Sequence, residues 1–267
     1  IPDKEKAVCI GLLKLFKIDG KPANELVTEG EIEIFHAIVF RKWNRVQILC
    51  STQYGKSLFV ALACLIVACI QREMIAIVAP KDDKAKIIMR YFIDHLGDSP
   101  LFWTQLERNT KLERLRMEEN KERIVLRNGG GVYVISAQAG NSQKGIESAM
   151  GAGAKIVITD EAGLIPDNIE ATIFRMIAGK GQDAFYCKIG NPFYRNHFLK
   201  SSVDPKYHQI FINYVQGLKE GRYTEQFIEE AKKKPHFDVL FGCKFPPEDF
   251  MDDKGFIRLL NDEDIQK

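Results

Sequence analysis

The sequence lacks several features that mark other classes of protein. None of its six cysteines forms a C-x-x-C pair and no histidine spacing completes a zinc site, so we expect free thiols in a reducing compartment. The longest apolar run, residues 58–70, is shorter than the ~20 residues that a membrane-spanning helix needs. The net charge is only +2, from 38 basic and 36 acidic residues, so the chain has no global basic field. Any contact with nucleic acid must therefore use a local patch.

The sequence does contain an alternation of short apolar strands and helices. Four runs typical of buried strands occur at residues 46–49, 75–79, 156–159 and 185–189. Residues 57–71 predict a helix that is apolar on almost every side and therefore buried, and residues 84–96 predict an amphipathic helix. Apolar runs on both sides of Asn128-Gly129 predict a β-hairpin. This alternation favours a parallel sheet with helices on both faces.

The pattern divides the chain into two parts. Residues 1–200 are predicted to form an α/β core with an N-terminal helical segment, in which Thr28 or Glu29 opens a helix. From about residue 200 the strand–helix alternation weakens, and prolines at 235, 246 and 247 interrupt it. We therefore predict a small C-terminal linker or lid subdomain over residues 201–267.

The main motif lies between the first apolar strand and the buried helix. Residues 50–57 match the phosphate-loop pattern G-x-x-x-x-G-K-S/T, except that Cys50 replaces the first glycine. In such a loop the backbone N–H groups bind phosphate oxygens, and Gly55 allows their close approach. Lys56 would neutralise the β- and γ-phosphates, and the Ser57 hydroxyl would ligate Mg²⁺. The alternative is a surface turn with a solvated lysine. The predicted ATP-binding residues are Ser51, Thr52, Gln53, Tyr54, Gly55, Lys56 and Ser57.

Two carboxylates end the apolar strand at residues 156–159. Parallel sheets bind their ligands at the carboxyl ends of the strands, so Asp160 is predicted to lie beside the phosphate loop and to hold Mg²⁺. Glu161 would activate the attacking water as the catalytic base. An ordinary helix N-cap is the alternative for this Asp-Glu pair, and the upstream Lys56 favours the catalytic interpretation.

A third motif, Gly190-Asn191-Pro192, follows the strand at residues 185–189. It could place the Asn191 side chain near the γ-phosphate, where it would sense hydrolysis, or it could be a simple turn.

Together these motifs resemble the ATPase domain of large terminase subunits from tailed bacteriophages. The resemblance lies in the order of a loop S-x-Q-x-G-K-S, an apolar strand with Asp-Glu, and Gly-Asn-Pro, and it covers roughly residues 30–250. It implies a three-layer α/β P-loop NTPase fold, RecA-like and of the additional-strand catalytic-glutamate type. It also implies that Asn191 is the coupling residue. Residues 236–250 resemble the end of that domain.

Two departures from the family pattern concern positive charge. Thr52 stands where many terminases have an arginine, and Ser142-Gln143-Lys144-Gly145 occupies the region where the family often has Arg-Gly. The residues that follow, 146–153, resemble an insertion. Lys144 is the candidate to supply catalytic charge across a subunit interface, although it offers a point charge and no bidentate fork. A solvated loop lysine is the alternative.

The resemblance implies Mg²⁺-dependent ATP hydrolysis coupled to translocation of double-stranded DNA into a procapsid. The implied partners are the DNA, the portal protein, the small terminase subunit and further copies of the chain in a ring; we expect the isolated domain to be monomeric. The implied location is the host cytoplasm, at the procapsid portal, without a membrane. The family's nuclease domain is not expected within these residues, since residues 262–264 are acidic but lie on no apolar strand. The alternatives are a superfamily 2 helicase-like ATPase, a non-catalytic nucleotide-binding scaffold, and a DNA-binding module with a fortuitous loop.

The sequence also contains candidate residues for contact with DNA and with adenine, and no motif marks them. The basic residues among 107–123 alternate with glutamates, and Lys232-Lys233-Lys234 end a predicted surface helix, so each group is either a DNA contact or a solvated face. Phe35, His36 and Arg41 are candidates for adenine contact, with core packing as the alternative for Phe35. The candidate DNA contacts in the first group are Arg108, Lys111, Arg114, Arg116, Lys121 and Arg123.

Overall fold

The structure, a computed structural model, describes residues 1–106, 122–137 and 154–247. An N-terminal segment precedes the main sheet. It consists of α1 (Asp3–Leu13), the short hairpin β1 (Lys17–Ile18) and β2 (Lys21–Pro22), and α2 (Glu29–Phe40). The Thr28 side chain caps α2 and Glu31 returns a bond to the Thr28 backbone, a reciprocal pair that fixes where this helix begins. The prediction of a helix opened at Thr28 is confirmed.

Within the described residues, seven strands form the central sheet in the order β5-β6-β4-β7-β8-β3-β9. All neighbouring strands pair in parallel except β5 and β6, which form the predicted antiparallel hairpin around Asn128-Gly129. The strands are β3 (Arg45–Cys50), β4 (Met74–Ala79), β5 (Arg123–Val125), β6 (Gly131–Ser136), β7 (Ile156–Asp160), β8 (Phe185–Gly190) and β9 (His208–Ile212).

Helices cover both faces of this sheet. The connections contain α3 (Lys56–Cys69), α4 (Asp82–His95), α5 (Pro100–Trp103), α6 (Asp167–Phe174) and α7 (His197–Val203). In β4, Ile75 and Ile77 pack with the cluster of α2, α3 and α4, whereas Ala76 and Val78 face a second cluster that includes Ile173 of α6. Because both faces are buried, β4 is apolar at all six of its positions and β7 at its first three, as is typical of a parallel sheet. The three-layer α/β fold is confirmed.

The last strand extends the core past the expected boundary at residue 200. β9 pairs with β3 along five residues and so belongs to the main sheet. As an edge strand it buries alternate residues, Ile210 and Ile212, and this weaker pattern is the reason that the sequence did not reveal it.

Between β9 and residue 247, where the description ends, three short helices form a separate small cluster. They are α8 (Tyr214–Lys219), α9 (Glu225–Lys232) and α10 (Phe237–Leu240). Tyr223, Ile228 and Phe241 form the centre of this C-terminal cluster. All six cysteines are free and buried. No helix in the described parts of the chain has the length and apolar character of a membrane span.

Candidate active site

The turn between β3 and α3 has the backbone of an anion-binding loop. Gln53 and Gly55 adopt positive φ angles of 58° and 107°. A Cβ on Gly55 would lie 2.7 Å from Glu31 Oε1, so both conformation and space require glycine there. No side chain caps the N-terminus of α3, which leaves its first N–H groups available to an anion. Cys50, in place of the first glycine of the motif, is buried at the end of β3.

The carboxylates that follow β7 lie beside this loop. The Lys56 ammonium donates to Glu161 Oε1 over 2.7 Å, and the Ser57 hydroxyl donates to Asp160 Oδ2 over 3.3 Å. The two motifs are separated by 105 residues in the sequence. They meet because β3 and β7 both flank β8 and their carboxyl ends share one edge of the sheet. The predicted convergence of Lys56 and Glu161 is confirmed.

Burial and neighbouring charges shift the pKa values of Asp160 and Lys56. Asp160 is 3% exposed, and burial raises its pKa to about 6, even though the Lys56 ammonium acts in the opposite direction. Burial alone would lower the pKa of Lys56. The carboxylates of Glu161 and Asp160 outweigh that effect, so its net pKa lies above the usual value. Lys56 therefore stays positively charged and holds the adjacent carboxylates together.

The backbone at Glu161 differs from that of a regular strand end. Glu161 has φ 50° and ψ 42°, in the left-handed region that non-glycine residues seldom occupy. A short 3₁₀ turn, Ala162–Leu164, follows at once. A Cβ on Gly163 would lie 2.1 Å from the Asn191 carbonyl oxygen, so this turn packs directly against the Gly190-Asn191 backbone. Glycine is required at 163 for that close approach.

Asn191 contacts the loop indirectly. Its side chain is buried, and its amide donates to the carbonyl oxygens of Leu240 at 2.9 Å and Val239 at 3.4 Å. The Leu240 oxygen also accepts from the Thr52 N–H at 2.8 Å. The sequence suggested a position near the γ-phosphate. In the structure the amide is directed at the C-terminal cluster, and one shared carbonyl joins it to the phosphate loop.

Residues of the C-terminal cluster form hydrogen bonds with the phosphate loop. The Tyr223 hydroxyl lies 2.9 Å from Ser51 Oγ and donates to the Thr52 carbonyl at 2.6 Å. Two neighbouring side chains add charged contacts: Glu220 accepts from the Tyr54 hydroxyl, and Arg222 pairs with Glu31, the residue packed against Gly55. The phosphate loop is therefore fixed between α2 and the C-terminal cluster.

The donor set beside Ser57 fits a divalent cation. Asp160 Oδ1 is buried and has no hydrogen-bond partner in the described part of the chain, although Oδ2 accepts from the Ser57 hydroxyl. Carboxylate and hydroxyl oxygens suit Mg²⁺, which is commonly bound by one or two carboxylates together with substrate phosphates. Within the described ranges no three His, Cys, Asp or Glu side chains form an all-protein metal site. The residues present thus fit a metal ion that arrives with a nucleotide.

Solved structures identify the fold, although sequence comparison does not. No protein-family model matches the sequence, and no curated protein matches it significantly. The large terminase ATPase domain of Thermus phage P74-26 matches with a TM-score of 0.60 at 16% identity, over 80% of this chain and 93% of that chain. The HK97 bacteriophage large terminase matches with a TM-score of 0.64 at 15% identity, over 90% of this chain and 55% of that one. The chain has the fold of a large terminase ATPase domain.

Nucleotide complexes occur among the proteins with this terminase ATPase fold. The large terminase of a thermophilic bacteriophage in complex with ATP-gamma-S matches with a TM-score of 0.56 at 10% identity, over 82% of this chain and 52% of that chain. The chain therefore spans most of an isolated terminase ATPase domain and about half the length of the larger terminase chains.

The adenine candidates lie in the middle of α2 and at its C-terminal end. That helix contacts the loop through Thr28 and Glu31, near its first turn. Phe35 is buried in the core, His36 is bonded to Glu5, and Arg41 closes the helix by donating to the Ile38 carbonyl. Their role in adenine contact stays a prediction.

Several predicted charges lie outside the described residues. They are Lys144, Arg108, Lys111, Arg114, Arg116 and Lys121. Arg123 begins β5 and is exposed. Lys232 pairs with Glu229 and Lys244 with Asp238, and both lysines border a cavity of about 510 Å³ in the C-terminal cluster. The role of Arg123, Lys232, Lys233 and Lys234 in DNA contact stays a prediction.

Sequence inspection missed the residues that support the loop. The supporting residues belong to none of the three motifs of the nucleotide site, and their contacts join positions as many as 191 residues apart. They are Glu31, Glu220, Arg222 and Tyr223. The Thr28–Glu31 capping box was a signal for the start of α2. Nothing in the local pattern around Tyr223 indicated that its hydroxyl reaches the phosphate loop.

Proposed function

We propose that this chain is an ATPase and that its site binds ATP with Mg²⁺ between α3 and β7. The observation that supports this most directly is the convergence of Lys56, Ser57, Asp160 and Glu161 at the uncapped N-terminus of α3. An anion-binding helix end, a buried lysine and two adjacent carboxylates are the groups that phosphoryl transfer to water requires.

The residues divide the chemistry between them. The N–H groups of the loop and of the first turn of α3 bind phosphate oxygens, and Lys56 moves from Glu161 to the β- and γ-phosphates when the triphosphate arrives. Glu161, released from the lysine, accepts a proton from the attacking water. Ser57 and Asp160 hold Mg²⁺, which supplies positive charge that offsets the charge on the transferring phosphoryl group.

The proposal extends to the motor that the fold suggests. The neighbours named above are large terminases or their ATPase domains. We propose that hydrolysis drives double-stranded DNA into a procapsid, with a portal protein, a small terminase subunit and further copies of the chain as partners in the host cytoplasm. In this scheme Asn191 couples hydrolysis to movement of the C-terminal cluster, because its amide and the Thr52 N–H of the loop share the Leu240 carbonyl.

Substitution of the two central residues tests the ATPase proposal. In Lys56→Ala we expect loss of both hydrolysis and tight ATP binding, because the triphosphate loses its buried cation. In Glu161→Ala we expect turnover to fall by ~10²-fold or more while ATP binding persists, because only proton transfer is lost. Steady-state phosphate release and titration with ATP-gamma-S, each with and without double-stranded DNA, measure these effects.

Exposed residues of the same type provide the controls. Lys14 and Glu25 are exposed residues of the N-terminal segment, and the variants Lys14→Ala and Glu25→Ala should keep wild-type values. Normal turnover in Glu161→Ala would contradict the base assignment. ATP that binds to the wild-type chain but is never hydrolysed would favour the scaffold alternative.

A further inference from the structure

The segment that follows Glu161 is held in place by a residue outside every motif. Asn196 lies just before α7, and its amide nitrogen donates to the carbonyl oxygens of Gly163 at 3.1 Å and Ile165 at 3.0 Å. These two carbonyls belong to the turn that begins at Glu161. One side chain thus holds the middle and the C-terminal end of the turn.

The same side chain is fixed at its other end. Asn196 Oδ1 accepts from the Phe198 N–H at 3.0 Å and caps α7. The adjacent His197 adds a third contact, since its Nε2 lies 2.9 Å from the Ile165 oxygen. Helix α7 itself is anchored to the sheet, because the Gln47 side chain of β3 donates to the Phe198 carbonyl. The turn after Glu161 is therefore tied to the rigid core by way of Asn196.

Glu161 needs such support because its backbone is strained. A left-handed conformation at a non-glycine residue is unfavourable and persists only where its surroundings impose it. Without restraint, rotation about the Glu161 backbone would carry its carboxylate away from the position 2.7 Å from Lys56. A displacement of about 1 Å in a catalytic group can lower a rate ~10²-fold.

We propose that Asn196 is a positioning residue for hydrolysis: its amide fixes the turn after Glu161 and thereby sets the direction of the catalytic carboxylate. The inference rests on the proposed ATPase function, in which Glu161 is the base. It assigns no contact with the nucleotide to Asn196. Its loss should therefore slow the chemical step without weakening nucleotide binding.

The substitution Asn196→Asp separates the two roles of the side chain. Aspartate caps a helix about as well as asparagine, so α7 keeps its N-cap, whereas the two donated hydrogen bonds are lost. Asn196→Ser also keeps a capping oxygen and removes the amide without adding charge. In both variants of the 267-residue chain we expect kcat to fall at least about tenfold, with the Kd for ATP-gamma-S in the presence of Mg²⁺ changed by less than about twofold.

A second asparagine N-cap serves as the matched control. Asn213 Oδ1 caps α8 through the N–H groups of Val215 and Gln216, and the described residues include no acceptor for its amide. Asn213→Asp should therefore keep wild-type kcat. Hydrogen exchange gives a readout independent of turnover: the amides of Leu164 and Ile165, bonded within the turn, should exchange faster in both Asn196 variants, whereas those of α7 should not.

The possible outcomes separate the inference from the proposed function. Unchanged kcat in both Asn196 variants overturns the inference, as does a rise in Kd that matches the fall in kcat, since the amide would then only support the fold. A wild-type chain that binds no nucleotide removes the proposed function. In that case unchanged exchange at Leu164 and Ile165 would still refute the positioning role.

Discussion

At the scale of single residues, His197 shows how a buried neutral group makes stability depend on pH. Burial and the nearby Lys188 ammonium lower the pKa of His197 to about 4, against the opposing carboxylates of Glu170 and Asp167. Both ring nitrogens have hydrogen-bond partners that suit a neutral ring. Nδ1 accepts from the Lys188 ammonium, which lies 3.2 Å away, and Nε2–H donates to the Ile165 carbonyl. Protonation would place a second N–H against that ammonium.

We therefore expect acid to destabilise the chain through His197. Between pH 6.5 and pH 4 the unfolded histidine binds a proton and the folded one does not, so the free energy of unfolding falls as pH falls through that window. From pH 7 to pH 5 this contribution amounts to about 2 kcal/mol. Urea unfolding of wild type and His197→Gln at both pH values measures it. An equal loss of stability in the two proteins would show that His197 is not its source.

At the scale of elements, the C-terminal cluster supports the phosphate loop through one hydroxyl. Tyr223 is 8% exposed, and its oxygen serves both Ser51 and the Thr52 carbonyl. Tyr223→Phe leaves these buried groups without that partner, so we expect the free energy of unfolding to fall by ~1–3 kcal/mol. ATP-gamma-S should also bind more weakly, because the loop is less fixed. Thermal unfolding and nucleotide titration measure the two effects.

The neighbouring Tyr214 gives the control for that substitution. It lies at the start of α8 in the same cluster, and the structure gives its hydroxyl no hydrogen bond within the described residues. Tyr214→Phe should therefore change neither stability nor binding appreciably. If Tyr223→Phe behaves in the same way, the loop does not depend on the cluster.

Elements and local motifs could be predicted from the sequence because each carries its own periodic or chemical signal. The buried helix α3 and the strand β7 with Asp160-Glu161 are of this kind, and so is the hairpin around Asn128-Gly129. The contact of Tyr223 with Ser51 joins positions 172 residues apart and depends on how the last cluster docks. A contact over such a distance in the sequence cannot be predicted from the local pattern around either residue.

At the scale of the whole molecule, the edge strand β9 marks the limit of what could be predicted. It completes the sheet beside β3, and its Ile212 carbonyl accepts from the Ser51 N–H, so the core and the phosphate loop both depend on a segment assigned to the subdomain. Only alternate residues of β9 are buried because one of its two faces is exposed to solvent, where Phe211 is 50% exposed. The convergence of Lys56 and Glu161, by contrast, followed from two local motifs combined with parallel-sheet topology.

In the proposed motor, a basic residue of one subunit completes the active site of the next subunit. If Lys144 acts across the interface, Lys144→Ala and Glu161→Ala should each abolish turnover alone. A mixture of the two should regain part of it: a chain with intact Glu161 can then receive the lysine of a Glu161→Ala neighbour. Phosphate release from mixed samples, at protein concentrations where light scattering detects oligomers, measures the recovery. If oligomers form and the mixture stays inactive, Lys144 does not act on a neighbouring site.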